Sequence, residues 1–410
     1  MDKDKLRALA SDTLEPLISG AWLAPGERPS TARTSKAAFA GPCAIEFKAE
    51  REDTYRLVLK RSQPFERKSG QALSEIHVVR AFVDVVKGMK HGLDSWYSAD
   101  LRATFPRRVV ARALCRDKTQ EEAVLAAIDQ MSLWAGQQYE GKPIPAAIGF
   151  VPGDHAGLTS FHDFCCEKFS AVVSNGFDTL LTCNYDGQVI GHETLDNPEH
   201  PEFAPYRLGA IASWACDGRL ALVLNRVGEI LVFRNKQLVF ARRAGHWHFL
   251  THEPLITQMR RPQDEDVRQA IYETCLDSSL ARTGACIGVV DSAHSYRWDR
   301  MLCTPGDTLH PAQSTKARVI SAMISNQKFQ GLDRRLRQEL AAIDGATIMD
   351  HLGTVLAAGA IVQVQTGSSE GGRLAAAKEL SKRGLGIKVS QDGRISGFRD
   401  GANDPVFSVM

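Results

Sequence analysis

Three short groups in the last third of the chain carry residue types that handle phosphates. They are Asp344-Gly345-Ala346, Gly371-Gly372-Arg373 and Val389-Ser390-Gln391-Asp392-Gly393. Leu332, Leu336, Leu340 and Ile343 recur at helical spacing before the first group, which predicts a helix that delivers Asp344 to a turn. Gly345 permits the bend into the next strand. A carboxylate there stands at the mouth of a sheet, where open α/β folds bind ligands, and it suits a divalent cation. Gly371 and Gly372 open another helix, and bare glycine amides at a helix start favour a phosphate. Arg373, in the first turn, adds a fork of donors to the same phosphate. Taken singly, Asp-Gly is an ordinary turn dipeptide and paired glycines loosen a loop. Their order along the chain points to a nucleotide site that handles phosphates with a divalent metal.

The elements that must position these groups alternate. Apolar spacing predicts helices over residues 267–280, 317–324, 332–343 and 373–382. A buried strand is expected over 285–290, a hairpin from 347–349 to 355–364, and a last hairpin from 386–389 to 394–398 around Gln391-Asp392-Gly393.

From about residue 267 to 401 the chain resembles a diadenylate cyclase (DAC) domain, the nucleotide-binding domain type of the bacterial DNA-integrity scanning protein and its relatives; this is roughly a third of the chain. Where that family has an Arg-x-Gly-Ala strand, this chain has Arg282-Thr283-Gly284-Ala285, continuing through Cys286, Ile287, Gly288 and Val289. The family's Asp-Gly-Ala turn is matched by Asp344, Gly345 and Ala346. Its Gly-Thr-Arg-His-Arg-Ala-Ala helix start is matched by Gly371, Gly372, Arg373, Leu374, Ala375, Ala376 and Ala377. Val389, Ser390, Gln391 and Asp392 stand where the family has Val-Ser-Glu-Glu. Ile343 replaces the usual histidine, and Gly372, Leu374 and Ala375 replace a threonine, a histidine and an arginine. Lys378, Lys382 and Arg394 are candidates to compensate.

The resemblance implies that two ATP condense to cyclic di-AMP, a second messenger, with release of pyrophosphate. It implies that Asp344 binds Mg²⁺ or Mn²⁺ and helps activate a ribose hydroxyl, that Arg373 holds the triphosphate, and that Gly345, Ala346, Gly371, Gly372 and Ser390 contact the nucleotide. Two sites must then face each other across a homodimer. The alternative is a nucleotide-binding signalling module that is inactive or makes another product.

Upstream, residues 1–36 read as a helix (Leu6, Leu9, Leu14, Leu17) followed by a loop or arm over 20–36. Residues 37–150 read as a mixed α/β, sensor-like module. It has strands at 44–47 and 55–59 joined by the charged stretch 48–53, and helices at 74–86 and 119–139. Thr119 and Glu122 have the spacing of a capping box. Residues 151–258 read as a β-rich meander, with tight turns at Asp186-Gly187, Val227-Gly228 and Asn235-Lys236. A polar linker is expected over 258–266, and the nucleotide-binding domain over 259–410. The fold class is therefore α/β, ending in a mixed central sheet flanked by helices.

Other clusters take plainer readings. His246, Trp247 and His248, with His252 and Glu253, suit a half-buried strand better than a metal. Cys165 and Cys166, near His155, His162 and Asp163, read as a buried helical pair and not as a nucleophile site. Arg102, Arg107, Arg108, Arg112 and Arg116, with Trp96 and Phe105 near, read as a solvated helix face paired with Glu121 and Glu122. Trp134, Tyr139 and Pro143-Ile144-Pro145 read as core and turn. Hydrophobic residues make up 43% of the 410 residues and charged residues 24%, enough to build ordinary cores. A net charge of +2 selects no partner class, so nucleic acid is not expected. Nine cysteines without a CxxC pair argue against a disulfide framework. The longest apolar run, 355–362, is too short to cross a bilayer. The expectation is a soluble cytoplasmic protein with no membrane contact.

Overall fold

The structure, a computed structural model, describes residues 3–26, 28–29, 37–48, 54–65, 73–89, 98–196, 200–260, 264–292, 294–295, 297–364 and 371–410. Trp96, residues 49–53 of the expected turn, 30–36 of the expected arm and 261–263 of the expected linker lie outside them. The chain is α/β and divides into two compact units, Met1–Thr251 and His252–Met410.

The first unit opens with α1 (Lys3–Leu17), which buries Leu6, Leu9, Leu14 and Leu17. The expected arm contains two short strands, β1 (Trp22–Leu23) and β2 (Arg28–Pro29). Both pair with β5 (Thr54–Lys60), which also pairs with β4 (Ala44–Lys48), and β4 pairs with β3 (Ala37–Phe39). Three helices follow: α2 (Glu75–Gly88), α3 (Ser98–Leu114) and α4 (Lys118–Ala135). The cap of α4 is Asp117, whose side chain accepts from the Gln120 amide, so the helix starts earlier than the Thr119–Glu122 spacing predicts. A small hairpin, β6 (Gln138–Tyr139) and β7 (Lys142–Pro143), leads into β8 (Ala146–Val151).

β8 lies inside an eight-stranded sheet with β9 (Thr159–Ser160), β10 (Thr179–Asn184), β11 (Gln188–Thr194), β12 (Leu220–Leu224), β13 (Ile230–Arg234), β14 (Gln237–Arg243) and β15 (His246–Phe249). The meander expected over 180–242 is split: β10 with β11, and β12 to β14, form antiparallel hairpins as expected, β15 extends the second group, and β8 stands between the two. β8 sits between β12 and β10 and runs parallel to β10. Its side chains are buried on both faces, so it shows no alternation for a period-two reading to find. The residue-150 boundary expected from sequence falls inside this strand. Two short helices, α5 (Phe161–Cys166) and α6 (Gly209–Trp214), complete the unit. In α5, Cys165 is half-buried and Cys166 is exposed, so they are not the buried pair expected.

The second unit runs α7 (Glu253–Met259), α8 (Glu265–Ala281), β16 (Ala285–Val290), α9 (Thr315–Ile324), α10 (Arg334–Ala342), β17 (Ala346–Asp350), β18 (Val355–Ala360), α11 (Gly372–Ser381), β19 (Gly384–Val389), β20 (Ile395–Arg399) and β21 (Phe407–Val409). Its sheet order is β18-β17-β16-β19-β20-β21, with β16 and β17 parallel and the other pairs antiparallel. The leucine stripe of α10 is only part of its inner face: Leu340 is buried, but so are Arg334 and Arg337. Arg334 grips Asp277 of α8 through two bonds of 2.7 and 3.1 Å. Arg337 donates to Glu273 at 2.7 Å. These ion pairs fix the helix that delivers Asp344. Asp277→Ala leaves Arg334 buried without its carboxylate, and is expected to cost about 3–5 kcal/mol. Calorimetric melting of the full chain reads this as a lower midpoint for one transition.

Candidate functional site

α8 ends at Arg282, which adopts the left-handed conformation at the helix C-cap. Gly284 follows at φ +67° and β16 begins at Ala285. A Cβ on Gly284 would stand 2.6 Å from the Arg373 guanidinium and 3.3 Å from the Val389 carbonyl oxygen. Arg373 therefore lies over the start of β16, and a glycine is required beneath it. The Cys286 thiol, on β16, points at the Arg373 carbonyl at 3.8 Å. Burial pushes this thiol up to about 12, against the pull of Arg373, so it is not a nucleophile at neutral pH.

α10 delivers Asp344 and Gly345 to the start of β17. Ile287 pairs with Thr347 across the parallel strands, and two residues back along each strand are Ala285 and Gly345. Ala285 in turn faces Val389 of β19. The Asp344 turn, Gly284, Arg373 and Ser390 thus gather at one edge of the sheet. This is the amino edge of the parallel pair. The carboxyl-end crevice expected from open α/β folds is not where Asp344 sits, because the turn precedes its strand.

Gly345 has φ +107°, and a Cβ there would stand 2.6 Å from the Gly359 carbonyl carbon and 2.8 Å from the Ala360 carbonyl oxygen. Gly359, at φ +63°, is packed in turn by Ile343. The turn is locked against the end of β18, and Asp344 is left exposed. Ala346 is fully buried in the core and offers no side chain to a ligand. At α11, Gly371 has φ +96°, and a Cβ added at Gly371 or Gly372 would meet nothing within 4 Å. Among the described residues no side chain caps this helix start, and an anion is favoured at such first-turn amides.

Neither Asp344 nor Arg373 makes an ion pair among the described residues, with each other or with a third group. The proposed compensating cations are engaged elsewhere. Lys378 lies over the Phe398 ring at 5.9 Å, Lys382 bonds Glu379 at 2.7 Å, and Arg394 donates to the Met410 oxygen at 3.2 Å. A cation that the motif contains but the sequence reading did not single out is Arg282, which donates to the Gln391 carbonyl at 3.1 Å on the same edge. Its place at the helix end directly before the Gly-Ala strand was the available signal.

Ser390 is spent inside its own turn. Its hydroxyl donates to Asp392, and its amide donates to the Arg394 carbonyl at 2.9 Å. The Ser390 hydroxyl holds the Asp392 carboxyl below the ordinary aspartate range; partial burial opposes this, and the Arg394 amide and the charges of Arg394 and Lys388 add to it.

Asp344 suits a divalent ion in one mode only. Among the described residues no group of three or more His, Cys, Asp or Glu could form a metal cage. A single exposed carboxylate fits Mg²⁺ held mainly by substrate phosphates and water. Two of the histidines set apart in the sequence at 246–252 have protein partners. His248 contacts the Pro16 carbonyl at 2.9 Å, and His252 meets the Tyr272 hydroxyl at 2.7 Å. In the arginine-rich helix α3, Arg107 pairs with Asp129 at 2.5 Å and Arg112 with Asp84 at 3.4 Å. Glu121 and Glu122, the partners expected from sequence, are not the ones bonded. Among the described residues no helix is long and apolar enough to cross a membrane.

No family model matches this chain, and no curated protein matches it. Among solved structures it is similar to a hypothetical membrane spanning protein from Bacillus cereus, at 20% identity and a TM-score of 0.25, over 34% of this chain and 61% of that one. It is also similar to DacA from Staphylococcus aureus, a double mutant, at 19% identity and a TM-score of 0.24, over 34% of this chain and 85% of that one.

Two outcomes follow from the geometry. Gly284→Ala is expected to displace the Arg373 side chain and to cost about 1–3 kcal/mol through the positive φ, read by chemical denaturation. Asp392 has a depressed pKa in the fold, so its contribution is present above the unfolded aspartate pKa of about 4 and fades as pH falls through the folded value. The stability gap between wild type and Asp392→Ala is expected to hold at neutral pH and to shrink below about pH 4, in urea titrations at stepped pH.

Proposed function

We propose that the second unit binds ATP with Mg²⁺ or Mn²⁺ and condenses two molecules to cyclic di-AMP. The observation that carries this reading is a carboxylate and a guanidinium on one sheet edge, each without an ionic partner among the described residues, beside a helix start that no described side chain caps. The ordered match to the diadenylate cyclase motifs supports the substrate.

In this reading Arg373 and the first-turn amides of α11 hold the triphosphate. Asp344 orients the attacking ribose hydroxyl and shares the cation, which neutralises charge on the phosphates. The hydroxyl oxygen of one ATP forms a bond to the α-phosphorus of the other, the bond to the β-phosphate breaks, and pyrophosphate leaves. The hydroxyl proton passes to solvent or to Asp344. A second attack closes the ring. One protomer holds one ATP, so two copies must face each other, and catalysis comes mainly from positioning. The first unit acts as the input module.

A second reading, nucleotide binding without turnover, is favoured by one set of contacts. Leu374 packs on the core and Ala375 is buried, so neither position can supply the cation it has in the family.

Incubation of the full chain with ATP or GTP and Mg²⁺ or Mn²⁺, followed by mass spectrometry, tests both. Cyclic di-AMP is expected from the wild type, and Asp344→Asn is expected to abolish it without lowering the melting midpoint. Nucleotide binding without pyrophosphate release selects the second reading. Undiminished product from purified Asp344→Asn would falsify the role given to the carboxylate.

A further inference from the structure

We infer that the first unit carries a separate site for a small phosphate monoester, in a cavity of about 670 Å³ at one edge of its eight-stranded sheet. That volume suits a small metabolite. β8 and β10 run parallel, with Val151 beside Asn184, so their carboxyl ends open together. Pro152 and Gly153 follow one strand, and Tyr185 and Asp186 follow the other. β12 is antiparallel to β8 and begins at this edge after Asp217 and Gly218, and β13 ends here at Arg234, opposite Leu220. The far wall is the end of α3 and the first turn of α4. Carboxyl ends of adjacent parallel strands are where α/β sheets collect ligands.

The charges facing this cavity separate into engaged and available groups. Arg234 is half-buried, and its guanidinium donates to the Leu114 carbonyl at 2.7 Å but pairs with no carboxylate among the described residues. Arg116, also in the lining, makes no ion pair among the described residues. Other arginines of this unit do find carboxylates: Arg61 pairs with Glu75, and Arg243 with Glu229 at 2.9 Å. A half-buried guanidinium without an anion is costly unless an anion arrives. Of the acids in the lining, Asp117 is bonded to the Gln120 amide, and Asp217 to the Cys216 thiol with Arg219 at 3.8 Å. The Asp186 carboxylate has no bonded partner among the described residues.

The start of α4 is already capped by the Asp117 carboxylate, so the phosphate dianion is assigned to the two guanidinium groups alone. Asp186 across the cavity suits hydroxyl donors on the rest of the ligand. Tyr185, stacked on Phe150 at 5.5 Å and bonded to the Gly218 carbonyl at 3.1 Å, gives the cavity a rigid wall. The site does not depend on the nucleotide reading of the second unit.

The test is calorimetric titration of the full chain at low salt with inorganic phosphate, glycerophosphate, AMP and citrate. Glycerophosphate or AMP is expected to bind, and more tightly than phosphate or citrate. Arg234→Gln is expected to weaken that binding by about tenfold or more, and Arg116→Gln by several-fold. Arg116 is exposed, so its variant stays informative if Arg234→Gln fails to fold. Glycerophosphate carries no base or triphosphate, and Arg373→Gln is expected to leave its binding unchanged. The proposal is overturned if neither ester binds, if phosphate or citrate binds as tightly, or if both arginine variants bind like wild type.

Discussion

The candidate site in the second unit depends on how closely two backbones pass at Gly345. No side chain fits there, because the Gly359–Ala360 backbone already occupies the space and φ is +107°. That approach sets where β17 meets β18, with Ala346 opposite Ala360. It also decides that Asp344, one residue earlier, emerges into solvent. Gly284 performs the matching task on β16, where it gives Arg373 room to lie across the strand. An aspartate on any other turn would be an ordinary surface charge. Here its position is fixed by main-chain packing and not by its own bonds, so its oxygens stay available.

The frame around that turn is held by charges that are used up. Arg334 with Asp277, Arg337 with Glu273, and Lys316 with Asp307 at 2.5 Å are all well buried on the acid side. Lys316 also donates to the Gly359 carbonyl at 2.8 Å, directly beside the turn. Such pairs add little net stability over apolar packing, but breaking one is expensive, so they fix geometry. Against that background an acid and a guanidinium on one edge, neither in an ion pair among the described residues, are informative. The same contrast separates Arg234 from Arg243 in the first unit.

Much of this was legible in the chain. The helices before and after Asp344 follow from periodicity, and the terminal hairpin and the β12–β14 hairpins follow from their tight turns. β12 and β13 are as fully buried as β8, but β8 pairs with no strand next to it in sequence through a tight turn, so it gives no such signal and the reading divides the sheet at residue 150. The inner face of α10 was half read: leucines announce burial, whereas Arg334 and Arg337 look like solvent residues until Asp277 and Glu273 are found 57 and 64 positions away. The edge of the sheet was misjudged because sequence order shows that a turn precedes a strand, but not which strand runs beside it. Ser390 looked available because the bond from its hydroxyl to Asp392 is local and specific to that turn.

The departures from the family pattern have a physical consequence under the proposed reading. Leu374 and Ala375 face inward, Ser390 is occupied and Arg282 is bonded to the Gln391 carbonyl, so the described groups that this reading assigns to a triphosphate are Arg373 and the first-turn amides of α11. One lying guanidinium and a helix start neutralise only part of such a polyanion. In this reading the remainder comes from the divalent ion that the phosphates bring with them, because the described residues offer one carboxylate and no cage. Affinity in this site is therefore tied to the metal–nucleotide complex, and the free nucleotide meets an edge too weakly charged to hold it. A site so built discriminates by metal loading before it discriminates by base.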